Sequence, residues 1–295
     1  MDVSVIYVNW NAEDEILASV RTVRDKIRGV SYEIIVVDNA SGKGTAALAR
    51  EPAIRLIQNP VNAGFGAGCN LGARNSQGRY LFFFNPDTRM ENDAATILTA
   101  FLDTHPRIGA AGPKVLDARG MIHFGAARAF PSLLHEFLEH SALTFRFPKG
   151  RITGRPYYSF WDHDSSRPVD SLIGAAMLVR RDVFEAIGGF DERFFLYCEE
   201  VDLCRRIWNA GFGVHYVHES VITHLEKQSA DQYFKDFHAL ILQHLRSLAL
   251  YMEKHHGRVQ TVLWRAMIVI LYGLKALTNR NRHYLQYCRF GLGRV

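Results

Sequence analysis

Cysteine is scarce in this sequence: four in 295 residues (Cys69, Cys198, Cys204 and Cys288), with no C-x-x-C pair among them. A disulfide framework or a zinc ribbon needs regular cysteine spacing, so both are excluded, and the thiols indicate a reducing compartment. The opening MDVSVIYVNW has no basic stretch ahead of an apolar run, so no secretory signal is expected and the chain should stay in the cytosol. No unbroken apolar run reaches the roughly 20 residues of a spanning helix. The strongest candidate, Val262 to Leu277, is interrupted by Arg265 and Lys275. A complete dinucleotide fingerprint is missing too. Gly64-Phe-Gly66-Ala-Gly68 would put its third glycine at Cys69 or Leu71, and it follows the third expected strand rather than the first. That argues against a nicotinamide dehydrogenase. A basic glycine-rich loop after the first strand, expected of a nucleotidyltransferase, is replaced by NWNAEDE. His215 and His218 fall on opposite faces of one strand, so with His224 they make no zinc set.

What is present begins with RYLFFFNPDTR at 79–89. Leu81 to Phe84 is a short apolar run bounded by Gly78 and Pro86, which reads as a strand buried on both faces. Asp87 then emerges at its carboxyl end with the Asn85 amide beside it. Ligands of open α/β sheets bind at that edge, and a carboxylate there suits a hard divalent cation that also holds a diphosphate. Read alone, Asn-Pro-Asp is equally a turn and helix cap. Val3–Val8, Glu33–Val37 and Ala53–Ile57 read as further strands. Asn11 caps a helix through Lys26, and a helix runs from Glu91 to Asp103. This alternation predicts an α/β, mostly parallel Rossmann-like sheet with helices on both faces. Asp38 ends the second strand and can accept from a nucleotide base or ribose hydroxyl. Trp10 offers a stacking face or packs in the core. The glycines near 64–72 serve close helix packing, leaving Asn62 and Asn70 to hydrogen-bond.

Residues 130–168 lose the rhythm and read as an irregular excursion covering an acceptor. They include Asp162-His163-Asp164, a rival acidic motif. Leu172–Val179 reads as a strand, and Arg181 starts a short helix ending at Gly188-Gly189. Glu199, Glu200 and Asp202 crowd the start of another helix, where the dipole favours them. Asp202 faces Arg205 and Arg206 as an ion-pair partner. Glu199 and Glu200 are either a solvated helix start or a pair whose mutual repulsion raises a carboxyl pKa, as a general base requires. Gly213–Val217 and Ser220–Thr223 read as strands, the second closed by His224.

From Tyr233 onward, ten Lys/Arg face two acids, a local net of +8, leaving the remainder at 25 against 28, or −3. Helical spacing from Ala230 to His255, followed by Val262–Leu277, describes basic amphipathic helices. They lie on an anionic membrane surface, or pack on the body or a second subunit. The long aliphatics interleaved with these charges do not suit nucleic acid.

These motifs resemble the inverting family-2 glycosyltransferases of GT-A fold, specifically their bacterial rhamnosyltransferase-like branch. The matching stretches are VSVIYVNWN at 3–11, VVDNAS at 36–41, NPVNAGFGAGCNLG at 59–72, FFFNPDT at 82–88 and GGFDERFFLYCEEVDLCRR at 188–206, closed by His224. The resemblance implies a catalytic domain at 1–228, comprising a nucleotide-sugar half (1–115) and an acceptor and base half (116–228), followed by the helical region 229–295. It assigns Val8, Asn9, Trp10, Asp38, Asn39, Asn62, Gly64, Asn70, Asn85 and Asp87 to the nucleotide sugar. It also gives Asp87 and His224 to a Mg2+ or Mn2+ ion, and Glu199-Glu200 to the catalytic base, with Asp202 and Arg205 nearby. Two departures stand out: Asn85 replaces the first acid of the D-x-D motif, and Glu200 stands where Asp is commoner, which moves the carboxylate by about 1.5 Å. The implied donor is dTDP-L-rhamnose, with a UDP-hexose or UDP-GlcNAc as alternative. The implied acceptor is a polyprenyl-diphosphate-linked saccharide of cell-envelope polysaccharide synthesis, reached by peripheral attachment to the inner membrane face. A nucleotidyltransferase and a non-catalytic scaffold are the readings from other classes.

Overall fold

The computed structural model describes residues 1–42, 44–123, 125–225, 237–279 and 282–293. The chain forms two compact units. The first comprises Met1–Arg128, His163–Phe195 and Glu199–Ser229; the second comprises Ala129–Asp162, Leu196–Cys198 and Ala230–Val295.

The first unit is built on β1 (Val3–Asn9), β2 (Tyr32–Asn39), β3 (Ile54–Asn59) and β4 (Tyr80–Phe84), paired in parallel in the order β3-β2-β1-β4. Every residue of β1 and β4 is buried, as apolar runs in the middle of a covered sheet require. The sheet continues through β10 (Ala176–Arg180), β6 (Ile108–Leu116), β11 (Gly213–His224) and β5 (Thr88–Met90), with β8 (Arg167–Pro168) on β11. β10 runs antiparallel to both β4 and β6, so the sheet is mixed at its centre. A separate two-stranded ribbon pairs β7 (Ala127–Arg128) with β9 (Ser171–Leu172). Leu172–Val179 is therefore two strands, interrupted at 173–175. Gly213 to His224 is a single strand with a bulge between Val217 and Val221, rather than two.

The first helix, α1 (Glu13–Lys26), is capped differently from expectation: Asn11 takes φ 57°, and the Asn9 side chain accepts from the Ala12 N–H instead. Ile16, Val20 and Val23 form its buried face. Helix α2 (Ala46–Arg50) is short, and α3 (Phe65–Arg74) lies across β1 and β2. Its glycines permit that contact: a Cβ on Gly72 would come within 2.5 Å of the Ile6 Cγ2 methyl. Gly64 introduces α3 at φ 94° and ψ 172°, a region essentially closed to other residues, and its Cβ would meet the Phe195 carbonyl oxygen. Gly64→Ala should therefore cost on the order of 3 kcal/mol of stability. A thermal melt matching the wild type would contradict that account. Helix α4 (Ala94–Thr104) starts later than the pattern suggested because Asp93, not Glu91, caps it by accepting from the Thr96 N–H.

The second unit contains residues 130–162 of the expected irregular excursion, the rest falling in the first unit, and this part is partly helical: α5 (Leu133–His140), α6 (Leu143–Arg146) and a 3-10 turn at Arg155–Tyr157. The α7 (Arg181–Ala186) and α8 (Glu199–Asn209) helices belong to the first unit. Helix α9 (Phe237–Asn279) is broken at Gly257, whose φ of 78° and ψ of 174° are not helical. Its second half buries Trp264, Ile268 and Tyr272, spaced at i, i+4 and i+8, with Trp264 edge-on to Phe290 and Tyr272 to Tyr287 of α10 (Arg282–Gly291). The expected helical start at Ala230 and the NRNRH stretch fall partly outside the described residues.

Candidate active site

Three groups of side chains sit at strand or helix ends of the first unit, where backbone geometry presents them. The first lies at the ends of β1 and β2, whose register sets Asn9 opposite Asp38. The Asn9 Nδ2 donates to Asp38 Oδ1 at 2.7 Å, the Ser41 hydroxyl donates to the same oxygen, and the Ser41 N–H reaches Asp38 Oδ2 at 3.2 Å. Asn39 Nδ2 donates to the Gly64 carbonyl at 2.9 Å, while Asn62 Oδ1 accepts from the Gly64 N–H at 3.1 Å. Val8, Asn9 and Asn39 are thus buried frame pieces. Asp38, which accepts from these donors, is itself buried, and Trp10 beside it is half-buried. Asn70 does not join this group. Its amide donates to the Phe190 carbonyl at 2.9 Å and accepts from the Phe190 N–H at 2.9 Å, holding the 188–192 turn against α3.

The second group follows β4. Asn85 donates its backbone N–H to the Ala175 carbonyl at 2.9 Å, and Asp87 is buried just beyond. β5 pairs antiparallel with the end of β11, with His224 opposite Thr88, and the Leu225 N–H donates to the Asp87 carbonyl at 2.9 Å. That register carries the imidazole to the carboxylate: His224 Nε2 lies 3.2 Å from Asp87 Oδ1. His123, which the motif reading missed, lies with its ring centroid 5.3 Å from that of His224. It arrives on a hairpin after β6 that carries no recognisable sequence signature.

The third group opens α8. Tyr197 and Cys198 take φ values of 70° and 66°, two consecutive non-glycine residues in the left-handed region, immediately before Glu199-Glu200. Such strain concentrates where a side chain must be aimed. Glu199 is 5% exposed and its Oε2 has no hydrogen-bond partner among the described residues. Burial, then the neighbouring Glu200 carboxylate, hold its pKa well above the ordinary range, which favours its neutral form. Burial also raises the Glu200 pKa, but backbone N–H groups and the Arg128 guanidinium oppose the shift. Arg128 comes from β7, and Gly174, just after its partner strand β9, lies so near that a Cβ added there would be 3.6 Å from the Glu200 side chain. Two adjacent carboxyls with unlike environments are a pair that can divide into one proton acceptor and one neutral neighbour. Asp202 pairs with Arg206 at 2.8 Å, the i,i+4 partner, within the same helix.

The rival acidic motif is disposed otherwise: Asp162 is exposed and pairs with Lys149 at 2.5 Å. His215 packs on the Phe101 ring, and His218 bonds Ser166. No group of three His, Cys, Asp or Glu is arranged to hold a metal among the described residues. The Asp87–His224 pair nonetheless fits a divalent cation that draws its other ligands from a diphosphate and water. Both side chains are largely buried, and His224 Nδ1 has no partner among the described residues.

A family model, Glycosyl transferase family 2, matches residues 4–188. The chain is 31% identical over 246 residues to the N-acetylglucosaminyl-diphospho-decaprenol L-rhamnosyltransferase of Mycobacterium tuberculosis, covering 79% of this chain and 77% of that protein. It is 29% identical over 217 residues to rhamnosyltransferase WbbL of Escherichia coli, covering 71% and 73%. Among solved structures, the mannosyltransferase PcManGT from Pyrobaculum calidifontis, in complex with GDP-Man and Mn2+, superposes with a TM-score of 0.59 at 13% identity. It covers 98% of this chain and 84% of that one, which establishes the GT-A architecture.

Proposed function

The chain belongs to glycosyl transferase family 2, and we propose that it transfers L-rhamnose from dTDP-L-rhamnose to a hydroxyl of a polyprenyl-diphosphate-linked saccharide in cell-envelope polysaccharide synthesis. The observation that carries this reading is the Glu199-Glu200 pair, one buried and one half-buried at a strained helix start, in the unit that also joins Asp87 to His224. The glycosyltransferase class follows from the family. The rhamnosyl and lipid-linked choices are supported by the names of the Mycobacterium and Escherichia relatives.

In this mechanism Glu200 accepts the proton of the acceptor hydroxyl as its oxygen attacks the anomeric carbon in line. The carbon–oxygen bond to the diphosphate breaks, the centre inverts, and dTDP departs with the electron pair. In its neutral form Glu199 would add no second negative charge to the acceptor side. Asp38 and Trp10 bind the nucleoside, one by accepting from it and the other by stacking. Asp87 and His224 would hold Mg2+ or Mn2+, which when bound supplies positive charge to the diphosphate oxygens. The helix α9, long and apolar enough to cross a membrane by length and composition, is broken at Gly257 and buries one face. Those features support attachment along the inner membrane surface rather than a span.

The test is nucleoside diphosphate release from a panel of nucleotide sugars, with a synthetic lipid-diphosphate saccharide and Mg2+, Mn2+ or EDTA. Acceptor-dependent dTDP release from dTDP-rhamnose is expected. Release from a UDP-sugar alone would discard the rhamnosyl assignment and keep the class.

A further inference from the structure

The large apolar side chains left in solvent are not spread evenly. Of eighteen such residues among those described, fourteen belong to the second unit. That unit carries fourteen Lys/Arg against six Asp/Glu, a net of +8, so the first unit, at 21 against 24, is at −3. On the second half of α9, Val259, Val262, Leu263, Ile270, Leu274 and Leu277 are all exposed, on the side opposite buried Trp264, Ile268 and Tyr272. A second cluster stands far away in sequence. Phe145, Phe147 and Ile152 are 53%, 54% and 68% exposed, and the intervening Arg146 and Arg151 are exposed as well.

This second cluster is not loose chain. The Gly154 N–H donates to the Gly150 carbonyl at 2.7 Å, the Ser159 N–H to the Gly154 carbonyl at 3.0 Å, and the Ser159 hydroxyl to the Pro148 carbonyl at 2.7 Å. The loop is closed by its own hydrogen bonds, yet its apolar side chains face outward. Aromatic and aliphatic groups alternating with arginine are the composition of a segment seated at a lipid headgroup boundary. The unit's charge selects an anionic surface and opposes a second copy, which would bring two units of net +8 together.

We propose that residues 145–152 are a second membrane contact. Phe145, Phe147 and Ile152 enter the headgroup–acyl boundary of an anionic phospholipid bilayer, and Arg146 and Arg151 engage its phosphates. The proposal rests on the reading that α9 meets the membrane, and adds to it a contact within the acceptor-side excursion. Two attachment points fix the angle at which the chain meets the bilayer, where one helix leaves it free to rotate.

Flotation of the full chain with phosphatidylcholine vesicles, with and without phosphatidylglycerol, tests it. The triple variant F145S/F147S/I152S should lose at least roughly tenfold in partitioning to the anionic vesicles, with an unchanged melting temperature because the residues are exposed. R146Q/R151Q should lose roughly fivefold per charge there, and little on neutral vesicles. V262S/L263S/I270S reports on α9 separately. If it loses partitioning while the loop triple binds like wild type, the second contact is wrong and the helix reading stands. A wild-type chain that ignores anionic vesicles overturns both. A loop triple that changes the molecular mass in light scattering, with partitioning unaltered, makes the cluster a subunit interface and overturns the proposal.

Discussion

Glu200→Gln should reduce kcat by about 10²–10⁴-fold while leaving donor affinity near its wild-type value. The amide is isosteric, so packing against Gly174 survives, but it cannot accept the hydroxyl proton. Single-turnover assays with saturating donor, alongside calorimetric binding of dTDP-rhamnose, separate the two effects; wild-type turnover would remove Glu200 from the mechanism. The pH profile supplies an independent sign. Burial raises the Glu200 pKa, so the active carboxylate is lost as pH falls through that raised value. The acid limb of kcat should consequently lie above the ordinary glutamate value of about 4.3. If the roles within the pair are reversed, Glu199→Gln carries the loss instead.

The other large effect belongs to Asp87. Asp87→Asn keeps the side-chain shape and the Leu225 N–H bond to the backbone, but removes the charge that faces His224. We expect kcat/KM to fall by about 10²–10³-fold, since leaving-group stabilisation is typically worth that much. Titration should also show that divalent cations no longer strengthen dTDP binding. A variant whose activity stays high and remains sensitive to EDTA would place the cation elsewhere.

Much of this arrangement was legible in the chain because strand ends announce themselves. Runs such as VSVIYV and YLFFF can only be interior strands, and whatever polar residue follows them reaches the same edge. The Asn9–Asp38 contact and the Asp87 position follow from that logic. The reversal of β10 was not legible, since an apolar run of five residues carries no direction. Asn70 misled because an asparagine in a glycine-rich helix looks available until the turn at Phe190 occupies both ends of its amide. His123 and Arg128 were silent for other reasons: His123 sits on a short turn folded back on the end of β6, and Arg128 on a ribbon whose partner strand lies much later in the sequence. The excursion at 130–168 hid its helices because short segments leave too few turns for a period to show.

The antiparallel β10 also sets an order of events during synthesis. It lies between β4 and β6, with Ala176 opposite Phe84, so the sheet cannot close when its first strands emerge from the ribosome. Until Ala176–Arg180 is translated, the apolar β4 has an open edge, the kind of surface that recruits wrong partners. The strand that joins β4 to β6 is followed by α7, then by the helix bearing Glu200, and then by β11. Closure of the sheet and assembly of the carboxylate pair therefore both fall between Ala176 and His224, and a chain arrested before that interval has neither.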